Sequence, residues 1–221
     1  MRSYASSQLH FGLCGHVGYR AKSPLLGSSQ LVGIDAGSAL QLLFVCTGNI
    51  CRSPTAERLA MAYSARFKIS NVVVASAGTR AVVGHPIHTN AIDVLERLGG
   101  DATDFSARQL TARIAASADL IVTMTRAHRD SVLELAPRKL HRTFMLGEVA
   151  QLVSRFDPDT VADLGSLRSQ LGAVDVPDVP DPIGLDPDAF EMAGALISHL
   201  IPPVMNVCAR GVFPLNDSNQ F

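Results

Sequence analysis

The stretch Leu-Leu-Phe-Val-Cys-Thr-Gly-Asn-Ile-Cys-Arg-Ser-Pro-Thr-Ala-Glu-Arg, residues 42–58, decides how this chain folds. Its first four residues are apolar and predict a short buried strand. Ser53 followed by Pro54 predicts a helix start, with Ser53 as the N-cap and Pro54 at the first helical position. Residues 46–52 therefore form a tight loop between a strand and a helix N-terminus.

The composition of this loop favours anion binding. Backbone N–H groups at a helix N-terminus converge on an anion, and Gly48 and Asn49 tolerate the left-handed backbone of a tight cradle. Arg52 supplies a planar fork that matches two oxygens of a tetrahedral oxyanion. These surroundings favour the thiolate of Cys46, which is a nucleophile, and so predict phosphoryl transfer through a cysteinyl-phosphate. The predicted phosphate-binding residues are Thr47, Gly48, Asn49, Ile50, Cys51, Arg52 and Ser53.

Residues 45–54 resemble the signature of the low-molecular-weight protein-tyrosine phosphatases. Further stretches agree with that family in order: Ser76-Ala-Gly-Thr79, Ala107-Arg-Gln-Leu110, Ala118–Met124 and Val179-Pro-Asp-Pro182. The resemblance covers roughly residues 41–205. It implies a phosphatase acting on phosphotyrosine proteins or small aryl phosphates. It also implies that Ser53 donates to the Cys46 thiolate, and that Ser76 joins Asn49 in bracing the loop.

The mechanism needs a carboxylic acid near the loop, because the leaving oxygen must take up a proton. Residues 157–189 contain eight Asp, one Arg and five prolines, which is typical of a long irregular surface segment. Asp181 is predicted as this acid, since its Val-Pro-Asp-Pro context resembles the acid loop of the family, and Asp178 is the alternative. The predicted catalytic residues are Cys46, Arg52 and Asp181. We expect no metal and no cofactor, because Arg52 and the loop amides already stabilise the oxyanion.

Several positions bear on substrate and redox behaviour. Ile183 follows Asp-Pro, where many relatives carry an aromatic residue, so the substrate meets an aliphatic wall. Phe105 occupies a position where relatives often hold His, and it cannot hydrogen-bond. Ile50 stands where phosphoarginine phosphatases tend to carry Thr, which favours phosphotyrosine-like substrates. Cys51 corresponds to a cysteine that in this family can form a disulfide with the nucleophile; the alternative is a small packing residue.

Other functions share this loop and remain as alternatives. A phosphoarginine phosphatase uses the same chemistry on a different substrate. An arsenate reductase relays oxidation through further cysteines, but the only cysteine after Cys51 is Cys208, which is expected beyond the last helix. A non-catalytic phosphate-binding module needs the loop but has no need of an acid such as Asp181.

Composition narrows the class of protein. The 221 residues are 47% apolar with a net charge of -1, which indicates a soluble globular domain and excludes a charge-driven nucleic-acid binder. No apolar stretch is expected to approach the roughly 20 residues of a membrane span. Four cysteines in a chain of this length do not make a disulfide framework, and we expect a reducing, cytoplasmic setting. Residues 1–40 are predicted to be a disordered extension, 41–210 the phosphatase domain and 211–221 a loose tail. The basic and serine-rich composition of residues 1–40, which contain one acid, also fits an organelle-targeting leader, which is the alternative.

The rest of the chain alternates predicted strands and helices. This alternation predicts an α/β fold of three layers, a doubly wound sheet of four parallel strands with helices on both faces. The functional loop then lies beyond the carboxyl end of the first strand. The strands are predicted at 42–45, 72–74, 119–124 and 140–146. The helices are predicted at 53–67, 86–98, 125–135, within 160–171, and at 187–201, where Pro202-Pro203 ends the last one.

Overall fold

The computed structural model describes residues 39–171 and 176–211. Its four strands are all parallel and lie in the order β2-β1-β3-β4, which confirms the predicted three-layer α/β class. The strands are β1 (Leu40–Cys46), β2 (Val72–Gly78), β3 (Leu120–Thr123) and β4 (Thr143–Met145). The helices are α1 (Arg52–Phe67), α2 (Thr89–Arg97), α3 (Ala112–Ser117), α4 (Arg126–Leu135), α5 (Leu146–Phe156), α6 (Asp163–Leu167) and α7 (Pro187–Ala209). Short 3₁₀ helices span Pro137–Arg142 and Arg168–Leu171. The predictions made for residues 1–38 and 212–221 lie outside the described residues.

Both faces of the sheet are buried, as a parallel sheet with helices on each side requires. On β1, Leu42 and Phe44 point into a cluster formed with α1, α2, α5 and α7. Leu43 and Val45 alternate with them and point into a second cluster formed with α3 and α4. The apolar run at the start of the deciding stretch is therefore the central strand of the core, and it places Cys46 at the carboxyl edge of the sheet.

The start of α1 differs from the prediction. The helix begins at Arg52 with Cys51 in the N-cap position, and no side chain caps it, so the assignment of Ser53 as N-cap and Pro54 as first helical residue is wrong. The hydroxyl of Ser53 instead turns back into the loop, 2.9 Å from the sulfur of Cys46. A side-chain cap would occupy N–H donors that an anion needs. A helix that begins at an anion-binding loop is therefore left uncapped.

The fourth strand is shorter than predicted, and two helices, α3 and α5, were not predicted. Only Thr143–Met145 pair with β3, because residues 137–142 form a 3₁₀ helix. The carbonyls of Leu140 and Thr143 accept hydrogen bonds from the guanidinium of Arg168, at 3.0 and 2.5 Å. Arg168 thus satisfies the Leu140 carbonyl, which a longer strand would have paired, and also binds the Thr143 carbonyl at the start of β4.

The last helix also continues where the sequence predicted its end. α7 runs through Pro202 and Pro203 to Ala209, and its final turns bury Val204, Met205, Val207 and Cys208 in the core. Packing of these residues compensates for the backbone hydrogen bonds that the two prolines remove. This length makes α7 the single described helix long and apolar enough to span a membrane, contrary to the sequence-based expectation. In this fold it packs against α1, α2 and α5.

Candidate active site

The loop after β1 is held by its carbonyl oxygens. Backbone N–H groups of residues 79–88, which follow β2, donate to the carbonyl oxygens of Cys46, Thr47, Gly48 and Ile50, at 2.7–3.0 Å. In the described part of the chain, the N–H groups of residues 47–51 donate to no other residue. Because the carbonyls are fixed outward, these amides remain free to bind an anion. The approach is close: a Cβ on Gly78 would lie 2.5 Å from the Thr47 carbonyl oxygen, which explains glycine there.

A chain of hydrogen bonds leads to the sulfur of Cys46. The side-chain amide of Asn49 donates to Ser53 Oγ at 2.9 Å and to Ser76 Oγ at 2.7 Å. Ser76 in turn donates to Glu57 Oε2 at 2.5 Å. Because Ser53 Oγ already accepts from Asn49, its own proton is available to the sulfur 2.9 Å away. The structure therefore brings together the four residues that the sequence linked to the nucleophile and its brace, Cys46, Ser53, Asn49 and Ser76.

Asn49 is suited to this position by backbone and side chain together. Its φ of 54° lies in the left-handed region, which asparagine tolerates better than most residues. Its Oδ1 accepts from the backbone N–H of Arg108 at 2.9 Å, and this contact fixes the orientation of the amide. The Arg108 side chain donates to the carbonyl of Ser76 at 2.6 Å. The network is thus completed by Arg108 and Glu57 and does not need a hydrogen-bonding residue at Phe105.

Glu57 was missed by the sequence analysis. It lies four residues after Ser53 on α1, and residues at this spacing share one face of a helix, which is the signal that predicts its proximity. Burial raises the pKa of the Glu57 carboxyl, and the hydrogen bond from Ser76 opposes that shift. The carboxyl ends the chain of hydrogen bonds that starts at Asn49.

Arg52 and Asp181 meet at the mouth of the loop. Arg52 Nη2 donates to Asp181 Oδ2 at 2.5 Å, and Nη1 donates to the carbonyl of Val179 at 3.2 Å. Arg52 is only 4% exposed, whereas the Asp181 side chain is 47% exposed. The Nε of Arg52 is buried without a partner among the described residues, so it keeps a donor for an oxyanion. The acid loop is held from the other side by Val179 N–H, which donates to the Met124 carbonyl at 2.8 Å.

Asp178, the alternative acid, lies elsewhere. Its Oδ1 accepts from the backbone N–H of Arg126 at 2.8 Å, at the start of α4. Asp178 does not line the pocket that contains Cys46 and Asp181. The geometry favours Asp181.

A pocket of about 210 Å³ opens above the loop. Its base is the loop itself, while Asn49 and Ser53 are fully buried behind it. Its walls include Ile183, 44% exposed, and Val82, 39% exposed. Arg80 and Val82 were not anticipated; the signal for them is that they directly follow β2, the strand that neighbours β1. The residues lining the pocket are Cys46, Thr47, Gly48, Ile50, Cys51, Arg52, Arg80, Val82, Asp181 and Ile183.

A histidine that the sequence analysis did not single out contacts the loop. His128 Nε2 lies 2.8 Å from the hydroxyl of Thr47, and Nδ1 lies 2.9 Å from the hydroxyl of Thr125. Burial, and then the nearby charge of Arg52, lower the pKa of His128 to about 4. The ring is therefore neutral at neutral pH and bridges α4 to the first residue after Cys46.

The described cysteines are all free thiols. Burial, and then the adjacent Cys46, raise the pKa of Cys51 to about 12, so it is a neutral thiol at neutral pH. Cys208 is completely buried in α7, and its burial raises its pKa as well.

Comparison with known proteins agrees with this geometry. The profile of the family described as low molecular weight phosphotyrosine protein phosphatase matches residues 41–163. EpsP of Ralstonia nicotianae, a probable low molecular weight protein-tyrosine-phosphatase, is 38% identical over 110 residues, which are 50% of this chain and 72% of the relative. The low molecular weight protein-tyrosine-phosphatase Etp of Escherichia coli is 39% identical over 107 residues, or 48% of this chain and 69% of Etp.

Solved structures show the same fold. Vibrio vulnificus Wzb, in complex with benzylphosphonate, superposes with a TM-score of 0.58 at 28% identity, covering 76% of this chain and 99% of Wzb. The YwlE arginine phosphatase of Geobacillus stearothermophilus has a TM-score of 0.58 at 27% identity, covering 76% of this chain and 91% of YwlE. On the profile match, these relatives and the shared fold, this chain belongs to the low molecular weight phosphotyrosine protein phosphatase family.

Proposed function

We propose that this protein hydrolyses phosphotyrosine-type phosphomonoesters through a cysteinyl-phosphate. Cys46, Arg52 and Asp181 line one pocket whose base presents unused backbone N–H groups, and this arrangement is the observation that carries the assignment. A nucleophile, a fixed cation and an acid are the groups that the two chemical steps need.

In the first step, the Cys46 thiolate attacks phosphorus and the P–O bond to the leaving group breaks. Protonated Asp181 gives its proton to the leaving oxygen. The loop amides and Arg52 hold the equatorial oxygens, and the unpaired Nε of Arg52 supplies a donor for them. Because Arg52 is ion-paired with Asp181 in the free protein, the bound phosphate takes over the guanidinium and releases the acid towards the leaving group.

In the second step, the Asp181 carboxylate takes a proton from water, and the resulting hydroxide attacks the phosphorus of the cysteinyl-phosphate. The S–P bond breaks, inorganic phosphate leaves, and the Cys46 thiolate and the protonated acid are regenerated. Ser53 stabilises the sulfur as a leaving group, because its hydroxyl lies 2.9 Å from it.

The choice of phosphotyrosine over phosphoarginine rests on side chains, since this fold superposes equally well on Wzb and on YwlE. Ile50 and the aliphatic walls Val82 and Ile183 suit the face of an aromatic ring. Arsenate reduction is disfavoured because Cys208 is completely buried in the core, away from the pocket. Turnover of a phosphotyrosine peptide compared with a phosphoarginine peptide tests this choice.

The decisive test compares the wild type, Cys46→Ala and the matched control Cys208→Ala. We expect wild-type protein to hydrolyse p-nitrophenyl phosphate and to carry phosphate on Cys46 after rapid quenching. Cys46→Ala should lose activity by about 10³-fold or more, because no other group can form the covalent intermediate. Cys208→Ala should keep activity within a few fold. Hydrolysis by Cys46→Ala at the wild-type rate would refute the mechanism.

We also propose a cytoplasmic location. A catalytic thiolate needs reducing surroundings, and the three cysteines in the described ranges are free. Fractionation of cells that express the full chain, followed by detection with an antibody, tests this location; recovery in the membrane or secreted fraction would contradict it.

A further inference from the structure

We propose that Arg80 forms a second anion-binding subsite at the rim of the pocket, and that the protein prefers phosphotyrosine segments with a carboxylate beside the phosphorylated residue. This inference builds on the proposed phosphatase function. It adds a selection by charge that neither the nucleophile nor the acid provides.

Among the described residues, Arg80 is a cation without an ion-pair partner. It lines the pocket and is exposed. Within residues 39–171 and 176–211, its side chain takes part in none of the ion pairs or hydrogen bonds. The acid that shares its pocket, Asp181, is already paired with Arg52. A ligand that brings a second negative charge to the rim therefore meets an available guanidinium.

The backbone that carries Arg80 is fixed to the phosphate loop. Arg80 N–H donates to the Thr47 carbonyl at 2.9 Å, and two residues later Val82 N–H donates to the Gly48 carbonyl at 3.0 Å. Between them, Ala81 N–H donates to Gln109 Oε1 at 2.9 Å. The guanidinium therefore extends from a backbone segment whose position relative to Cys46 is fixed. Binding of an anion by Arg80 then costs only side-chain entropy.

The shape of the pocket determines which part of a substrate reaches Arg80. Phosphate occupies the base, and the ring lies between Val82 and Ile183, which are partly exposed apolar walls. The peptide main chain and its neighbouring side chains then emerge at the rim. A Glu or Asp beside phosphotyrosine meets the guanidinium there, whereas a Lys, or the cationic group of phosphoarginine, meets like charge.

The test uses three phosphotyrosine peptides that differ only at the flanking residues, which are Glu, Ala or Lys. We expect the wild type at low salt to show a kcat/KM about threefold higher for Glu than for Ala, as one exposed ion pair allows. This preference should shrink at high salt. Arg80→Ala should abolish the preference, and Arg80→Glu should reverse it in favour of Lys. Arg155→Ala, at an exposed position on α5 outside the pocket, should behave as the wild type.

p-Nitrophenyl phosphate separates the two hypotheses, because it carries no flanking residue. The ratio of kcat/KM between the Glu and Lys peptides is therefore compared within each Arg80 variant, and p-nitrophenyl phosphate shows only whether that variant still catalyses hydrolysis. If Arg80→Ala keeps the preference for Glu, or if the wild type has none, the subsite is refuted while the phosphatase stands. If the wild type does not hydrolyse p-nitrophenyl phosphate, the proposed function fails instead. In that case, the Kd of the same peptides for Cys46→Ser, measured by fluorescence anisotropy, tests the subsite. The Glu peptide should bind most tightly and the Lys peptide most weakly.

Discussion

The guanidinium of Arg52 lies 2.5 Å from the carboxylate of Asp181, although 129 residues separate the two in the chain. This ion pair joins the loop that follows β1 to the segment that precedes α7. In the proposed mechanism, Asp181 is therefore held against the cation that the phosphate uses, so phosphate binding would release the acid.

Substitution of Asp181 tests the acid assignment. Asp181→Asn should lower kcat for a phosphotyrosine peptide by about 10²–10³-fold, because the leaving oxygen loses its proton donor. The same change should tighten inorganic phosphate binding, since a competing carboxylate no longer occupies Arg52. Stopped-flow kinetics and phosphate inhibition measure the two effects. Asp178→Asn is the matched control and should cost less than about fivefold; if it instead causes the larger loss, Asp178 is the acid.

The brace behind the loop is tested best by Asn49→Gly. Glycine accepts the left-handed backbone at this position, so the variant removes the side-chain hydrogen bonds without adding backbone strain. We expect the free energy of unfolding to fall by about 2–4 kcal/mol, because buried partners on Ser53, Ser76 and Arg108 lose hydrogen bonds. Activity should fall about tenfold or more per folded molecule. Urea denaturation and kinetics check these values, and an unchanged kcat would mean that Asn49 does not position the loop.

His128 predicts a pH dependence of stability. Its pKa is about 4 in the folded protein and about 6.5 when unfolded, so between these values the unfolded chain binds more protons. Stability is therefore complete above about pH 6.5 and is lost as the pH falls towards 4. We expect this group to contribute a loss of up to about 2 kcal/mol, allowing for solvent screening. Urea titrations at several pH values should give a flatter profile for His128→Gln; an identical profile would contradict the assignment.

Arg168 predicts a stability effect far from the pocket. Its guanidinium pairs with Glu148 Oε1 at 2.6 Å, donates to the Thr143 carbonyl and lies 4.0 Å above the Phe144 ring. Arg168→Ala should lower the free energy of unfolding by about 2–4 kcal/mol, because the buried Glu148 and two carbonyls lose their partner. Thermal unfolding measures this change. The matched control is Arg155→Ala, at an exposed position, which should shift Tm by less than about 2 °C. An equally small shift in Arg168→Ala would show that the contacts of Arg168 add little to stability.

Much of the site could be predicted because its chemistry is local. Residues 42–58 contain the strand, the loop and the helix start in one continuous segment, and the side chains in it are positioned by their own backbone. The Val-Pro-Asp-Pro context of Asp181, which resembles the acid loop of the family, selected it among eight aspartates with Asp178 as the alternative. In the structure, Asp181 forms an ion pair with Arg52. The alternation of strand and helix was sufficient to predict a parallel sheet covered on both faces.

What the sequence by itself determined is thus the loop, the order of most elements and the fold class, since these follow from periodicity and short-range backbone chemistry. Only the tertiary structure decided that Ser53 does not cap α1, how far α7 continues past its prolines, and that His128 and Arg80 lie beside the loop. These outcomes depend on contacts between residues that are distant in the chain. Burial and long-range hydrogen bonds outweigh local propensity there, and no local pattern records them.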